Sequence, residues 1–181
     1  MPGRVRVYIA TSLDGFIAGP DDDLSWLPAP PESDDSGDAD FLAFEAFMPQ
    51  VGALLMGRRT YAVVEGMDTW YYGDTPVLVA TRRPLTPKVP TVRAVSGTLG
   101  DMIAEAKRTA GDKDVYIDGG DLIRQALAAG HIDELVVTVV PVILGRGFPL
   151  FAGMEQYHPL TWVRTAQGPA GMVQLTYRPT R

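Results

Sequence analysis

Three short segments of the chain bring together residue types suited to holding a phosphorylated ligand: Gly57-Arg58-Arg59-Thr60, Thr81-Arg82-Arg83 and Gly119-Gly120-Asp121. An arginine guanidinium is a planar fork of donors that matches phosphate oxygens two at a time. Glycines between a strand and a helix let the main chain approach an anion closely, where unpaired N–H groups and the helix dipole face it. Arginine and hydroxyl suit a terminal phosphate, while glycines and a helix tip suit a pyrophosphate. The combination points to a dinucleotide over a lone phosphate. Two arginines at a 2′-phosphate would select NADPH over NADH, each charge-assisted contact contributing about 1.5 to 3 kcal/mol.

Other chemistries lack their parts. There is no Cys and only His131 and His158, which removes thiolate nucleophiles, sulfur-based zinc sites and the HExxH pair. No GxxxxGK[ST] phosphate loop or GxSxG elbow is present. Gly145-Arg146-Gly147-Phe148-Pro149-Leu150 lacks the third glycine of the Rossmann fingerprint and has a proline where a helix should open. With 16 basic and 22 acidic side chains the net charge is −6, which disfavours a broad grip on nucleic acid. Positive charge is local: residues 7–57 contain no Lys or Arg, whereas Arg58 with Arg59 and Arg82 with Arg83 are adjacent pairs. The run Leu135–Leu144 holds Thr138 and Pro141 and falls short of the roughly 20 residues a bilayer requires, and the N-terminus lacks a secretory apolar stretch. The expectation is a cytoplasmic protein with no membrane or nucleic-acid partner. Its 181 residues, 46% hydrophobic and 21% charged, suit one domain spanning 1–181.

The elements that must position these segments follow from periodicity. Arg4 to Ala10 alternates Val5, Val7 and Ile9 with Arg4, Arg6 and Tyr8, as a strand does. Gly19 to Asp40 is an acidic, proline-rich loop in which Leu24, Trp26 and Leu27 could anchor a lid, with Glu32–Asp38 solvated and disordered. Asp40 is placed to cap a helix bearing Phe41, Leu42, Phe44, Phe47 and Met48, stopped by Pro49. Val51–Met56 reads as a strand, Gly57–Thr60 as a turn into a helix carrying Tyr61, Val63, Val64 and Met67, and Pro76–Ala80 and Thr91–Val95 as further strands. Leu99–Ala110 is a helix closed by Gly111, Asp114–Asp118 a strand, Asp121–Ala129 a helix and Glu134–Leu144 a strand. Gly145–Phe151 is a turn, and Leu160–Thr165 with Met172–Tyr177 form a closing hairpin. Strands alternating with helices, then strands alone, predict an α/β fold with a mainly parallel sheet and an antiparallel C-terminal edge. Ligands of such sheets bind at the carboxyl ends of the strands, where all three segments fall.

Ser12-Leu13-Asp14-Gly15-Phe16-Ile17-Ala18, Leu55-Met56-Gly57-Arg58-Arg59-Thr60-Tyr61, Ile117-Asp118-Gly119-Gly120 and Pro141 to Phe151, in that order, resemble the motif series of dihydrofolate reductase-like proteins related to the reductase domain of bifunctional riboflavin biosynthesis enzymes. The resemblance spans nearly the whole chain, and the Gly-x-Gly-x-Pro-Leu-Phe ending points to the riboflavin-reductase branch. It implies a single domain with helices on both faces of the sheet, NADPH across the strand ends, hydride delivered to a small heterocycle of pterin, pyrimidine or riboflavin-precursor type, and a homodimer. By position, Ala10 and Ile17 would offer main-chain groups to the nicotinamide carboxamide. Gly57, Arg58, Arg59 and Thr60, with Thr81 and Arg82, would take the adenosine side, and Gly119, Gly120, Asp121, Leu122 and Ile123 the pyrophosphate. Asp40 falls near the pteridine-holding carboxylate of dihydrofolate reductase, which makes it the catalytic candidate; helix capping is its other reading. Asp14 contributes to the motif or shapes a turn, and Trp70, Tyr71 and Tyr72 form a stacking wall or ordinary packing. The alternative function is a non-catalytic nucleotide-binding or regulatory homodimer of the same fold.

Overall fold

A computed structural model describes residues 3–28 and 37–180. Its strands are β1 (Val5–Ser12), β2 (Phe16–Ala18), β3 (Val51–Gly57), β4 (Val77–Ala80), β5 (Val92–Val95), β6 (Asp114–Asp118), β7 (Glu134–Val140), β8 (Phe148–Pro149), β9 (Leu160–Gln167) and β10 (Val173–Pro179). The helices are α1 (Phe44–Phe47), α2 (Arg58–Glu65), α3 (Leu99–Ala110) and α4 (Gly120–Ala128). Eight strands form one sheet in the order β5-β4-β3-β6-β1-β7-β10-β9, parallel up to β7 and antiparallel at β10 and β9. The α/β sheet with an antiparallel C-terminal edge is therefore the one its pattern predicts.

Successive side chains point to opposite faces, and both faces are covered. Val5, Val7, Leu55, Leu78 and Ile117 pack with Ile103 and Ala106 of α3 and Ile123 and Ala126 of α4. Leu54, Met56, Val77 and Val79 pack on the other side with Phe47 of α1 and Tyr61 and Val64 of α2. Each such side chain, removed from water, contributes about 1.5 to 3 kcal/mol. Local signals agree with the packing at α3, where Thr98 and Asp101 form a reciprocal capping box ahead of the buried Ile103, Ala106 and Ala110.

Chain order and spatial order part company around β1. The chain moves from β1 outward through β3, β4 and β5, returns to place β6 beside β1, then crosses to β7 on the other side. Pairing of β1 with β6 stops at Val7 and Ile117, whereas pairing with β7 runs on to Ser12 and Val140. The carboxyl ends of β1 and β6 therefore separate, and a crevice opens at the switch point of the sheet.

Several boundaries differ from the periodicity, each for a physical reason. The helix expected from Asp40 onward is the single turn Phe44–Phe47, and Asp40 is exposed in the preceding turn; the N-cap is Ala43, with no side-chain bond. A long-range partner holds the approach extended: the Leu42 N–H donates to Gln174 Oε1 at 2.8 Å, and its carbonyl accepts from Gln174 Nε2 at 3.1 Å and from the Tyr8 hydroxyl at 2.8 Å. The strand expected over Glu134–Leu144 ends at Val140, because Pro141 has no N–H for the ladder. Inside the expected Gly145–Phe151 turn, Phe148–Pro149 instead pairs with β2 as a two-stranded ribbon. Arg58, Arg59 and Thr60 form the first turn of α2, which ends before Met67, and α4 opens at Gly120, one residue early. Arg6, on the strand face opposite Val5 and Val7, is 3% exposed. Of the Glu32–Asp38 stretch expected to be disordered, residues 32–36 lie outside the described residues. Asp38 is held in place, its N–H donating to the Gln167 carbonyl at 2.7 Å and its Oδ2 accepting from the Gln167 N–H at 2.8 Å.

Candidate functional site

The crevice between β1 and β6 leads into a cleft of about 1630 Å³. This exceeds the roughly 300–1,000 Å³ of an ordinary small-molecule pocket and leaves room for an elongated ligand with a second one beside it. Of the residues singled out in the sequence, Ala10, Ile17, Gly57, Arg58, Arg59, Thr60, Thr81, Arg82, Gly119, Gly120, Asp121 and Leu122 all line it. Two do not. Ile123 is fully buried in the core against α3 and the sheet, with its N–H bonded to the Gly119 carbonyl at 3.0 Å. Asp40 is exposed and lies off the cleft wall.

One bank of the cleft is a cradle for an anion. Gly119 has φ 95°, a conformation costly for any residue with a Cβ, and a Cβ there would stand 2.3 Å from Thr60 Oγ1. On the next residue a Cβ would meet Ile17 Cδ1 at 2.9 Å. Thr60 and Ile17 thus close on two glycines, and the chain turns tightly into α4. The first N–H groups of a helix have no intrahelical acceptor, so those of Gly120, Asp121 and Leu122 are available at the cleft. The Gly119 N–H is not, because it donates to Asp118 Oδ1 at 2.8 Å.

The four arginines on the cleft wall are differently engaged. Arg58 reaches across to the β4 exit, donating to the Pro84 carbonyl at 2.8 Å and lying 3.5 Å from Thr81 Oγ1. Arg59 pairs with Asp22 at 2.9 Å and stacks its guanidinium 3.8 Å from the centre of the Phe148 ring. Arg124 donates to the carbonyls of Pro149 and Leu150, both at 3.1 Å. Arg82 is exposed beside Ser96 and Gly97 and has no protein partner among the described residues. An arginine without a partner on a cleft wall offers its whole donor fork to a ligand.

Along β1, alternate residues direct their main-chain groups to opposite neighbours. The Val5 carbonyl accepts from Asp133 on the β7 side, and the Arg4 carbonyl accepts from Val115 on the β6 side. By that alternation Ala10 faces β6, beyond the last β6 ladder pair, so its N–H and C=O open on the crevice. Ile17 sits on β2, whose ribbon with β8 closes the same edge.

The opposite bank is aromatic and acidic, and sequence reasoning singled out little of it. Tyr8 stacks on Phe47 with centroids 4.5 Å apart, and Phe44 lies between Tyr8 and Tyr72 at 6.1 and 6.4 Å. Tyr72, read from sequence as wall or packing, is both: it is buried and it lines the cleft. Its hydroxyl donates to Asp118 Oδ2 at 3.4 Å. Asp118 shows part of its surface to the cleft and is surrounded by protein elsewhere, and burial raises its pKa to about 6 against the bond from Gly119. Burial likewise pushes Tyr8 up to about 12, with Glu45 adding to the rise. Glu45 and Thr138 complete this bank. A carboxylate ending an apolar strand directly before two glycines was the available signal for Asp118; Glu45 and Thr138 carried none.

Asp14 is a clamp. Its Oδ1 accepts from Ser12 Oγ at 2.6 Å and from the Leu144 N–H at 3.1 Å, and its Oδ2 accepts from the Gly145 N–H at 2.7 Å. These bonds hold its pKa down near 2 and tie the β1–β2 turn to the loop before β8. Leu24, Leu27 and Pro28 of the acidic loop line the cleft, while the Trp26 indole N–H donates to the Asp23 carbonyl at 3.2 Å.

Among the described residues no group of His, Asp and Glu could hold a metal ion, and no helix is long and apolar enough to cross a membrane. The sequence profile of the RibD C-terminal domain matches residues 4–173. The uncharacterized Bacillus subtilis protein YwjB is 31% identical over 152 residues, covering 83% of this chain and 84% of its own. Among solved structures, a Shewanella sp. PV-4 protein provisionally assigned to riboflavin biosynthesis superposes with a TM-score of 0.83 at 34% identity, covering 98% of this chain and 99% of that one. Dihydrofolate reductase from Enterococcus faecalis, solved with NADP(H), has the same fold at a TM-score of 0.69 and 16% identity, covering 100% and 99%. Matched from its first strand into its last, the chain belongs to the RibD C-terminal domain family.

Proposed function

We propose that this protein is an NADPH-dependent reductase that passes hydride to a small heterocycle, working as a cytoplasmic homodimer of single-domain chains. The observation that carries the reading is one continuous cleft, with a glycine and helix-tip cradle and an unpaired arginine on one bank and an aromatic, acidic wall on the other. The residues fit the cofactor. A side chain at Gly119 would be strained and would collide with Thr60, the N–H groups of Gly120, Asp121 and Leu122 would be free to bind a pyrophosphate, and Arg82 and Arg58 on the same cleft would read a 2′-phosphate. NADPH, when bound, supplies the hydride.

The chain's own task is alignment, exclusion of water and a proton. Ala10 would orient the carboxamide through its free main-chain groups. Tyr8, Phe44 and Tyr72 form the surface on which a flat ring would rest, in a cleft that Leu24, Leu27 and Pro28 also line. Asp118 is positioned to hold the proton. With its pKa near 6, Oδ2 carries a proton in a useful fraction of molecules at mildly acidic pH, and the Tyr72 hydroxyl orients it.

Titration of NADPH against NADH tests the phosphate site. NADPH binds at least about tenfold tighter, and Arg82→Ala with Arg58→Ala removes most of that preference. Equal affinity for the two cofactors would defeat the assignment. Turnover is read as NADPH consumption with a panel of pteridines and aminopyrimidines; a silent panel would favour the non-catalytic alternative.

A further inference from the structure

The cleft is divided by charge. Arg58, Arg59, Arg82 and Arg124 are its only cations among the described residues, and none of them is bonded to Tyr8, Phe44, Tyr72, Asp118 or Thr138. Arg58 is held at the β4 exit, Arg59 by Asp22 over Phe148, Arg124 at the β8 carbonyls, and Arg82 beside Ser96 and Gly97. The aromatic bank is built from residues 8–10, 41–45, 68–72, 116–118, 138–140 and 169–172, which contain no Lys, Arg or His. The whole stretch 7–57, which supplies β1, the lid and α1, contains none either. What this bank does offer is carboxylate: Asp118 at the floor, with Glu45 and Asp68 nearer solvent.

An anionic group carried into such a site would lose its hydration, gain no cation and face like charge, each of which opposes binding. A ring with N–H and amino donors meets the reverse situation, since ionised carboxylates only accept. Thr138 complements them. Its Oγ1 accepts from Gln174 Nε2 at 3.2 Å, which leaves the hydroxyl proton for a ring acceptor. Tyr8, Phe44 and Tyr72 supply the apolar face for a flat ring.

We infer that the aromatic bank takes a flat, donor-bearing heterocycle that carries neither phosphate nor carboxylate, so that phosphoribosylated pyrimidines and carboxylate-tailed pterins are excluded. The inference rests on the reductase reading for its place in a reaction, and its ligand chemistry is measured independently of the cofactor. The full chain is titrated calorimetrically with two matched pairs, 6-methylpterin against pterin-6-carboxylate and an aminouracil riboside against its 5′-phosphate, each with and without saturating NADP⁺. The uncharged member of each pair binds at least about tenfold tighter, as expected for an anion set among partly desolvated like charges. Glu45→Lys, an exposed charge reversal, narrows that ratio at least about threefold. Equal or tighter binding of the anionic members, an unchanged ratio in Glu45→Lys, or no binding of any ring by a protein that binds NADPH would overturn the inference. Failure to bind NADPH with the ring preference intact would instead defeat the reductase reading alone.

Discussion

Thr60 Oγ1 occupies the space in which a side chain on Gly119 would begin, 2.3 Å from the position of its Cβ. Thr60 lies in the first turn of α2 and Gly119 is the N-cap of α4, so this contact sets the distance between two helix starts that flank the cleft.

Gly119→Ala therefore meets two penalties, a φ of 95° and a collision with Thr60. Strain of this kind costs about 1 to 3 kcal/mol. Urea unfolding should show a loss of at least about 2 kcal/mol, and calorimetry a loss of NADPH affinity of at least about tenfold. Adding Thr60→Ala relieves the collision and leaves the backbone strain, so only part of the stability returns. Full recovery in the double variant would show that the left-handed backbone is unimportant.

Asp118 makes stability depend on pH. Its folded pKa of about 6 lies above the ordinary value of 3.8, so the folded chain holds the extra proton between those values. A group that binds protons more tightly when folded favours folding at low pH and loses that contribution as pH rises through the folded pKa. Asp118→Asn has no such loss. Relative to the parent it should gain nothing below about pH 4 and about 2 to 3 kcal/mol by pH 7, read from urea midpoints across that range. A difference independent of pH would refute the raised pKa.

At the far end of the sheet from the cleft, Arg6 is 3% exposed and its guanidinium donates to Glu134 Oε1 at 2.8 Å and Asp114 Oδ2 at 3.2 Å, with Phe47 beneath it at 4.9 Å. Glu134 also accepts from Arg4 and Arg178 at 3.0 and 3.3 Å. Glu134→Gln leaves a buried guanidinium short of a counter-charge and should cost about 3 kcal/mol or more. Arg178→Ala removes a half-exposed partner and should cost less than about 1 kcal/mol. Neither change should alter NADPH affinity, because this network joins the amino ends of β6, β1 and β7.

The order of elements was readable because it depends on local chemistry. Apolar runs with turn residues between them specified strands covered on both faces, and the apolar face of Leu99–Ala110 with Gly111 after it marked α3. The glycine pair after β6 announced a tight entry into α4, and the positive φ of Gly119 is the conformation that favours glycine there. Most of the glycine and arginine wall of the cleft followed, because it consists of main-chain groups and residues at strand ends. Ile123 was the exception: one helical turn inward, rotation about the α4 axis carries it from the cleft into the core.

The other bank was decided by tertiary structure. The helix expected after Asp40 shrank to one turn because Gln174, 132 residues from Leu42, supplied hydrogen bonds that the local sequence could not announce. Arg6 went inward because carboxylates from β6 and β7 met it there. Asp118 acquired its raised pKa from burial among Tyr72, Tyr116 and the strand ends. Periodicity reports which face a residue shares with its near neighbours along the chain. Burial, charge pairing and proton affinity depend on what distant segments bring to that face, and those exist only once the chain has folded.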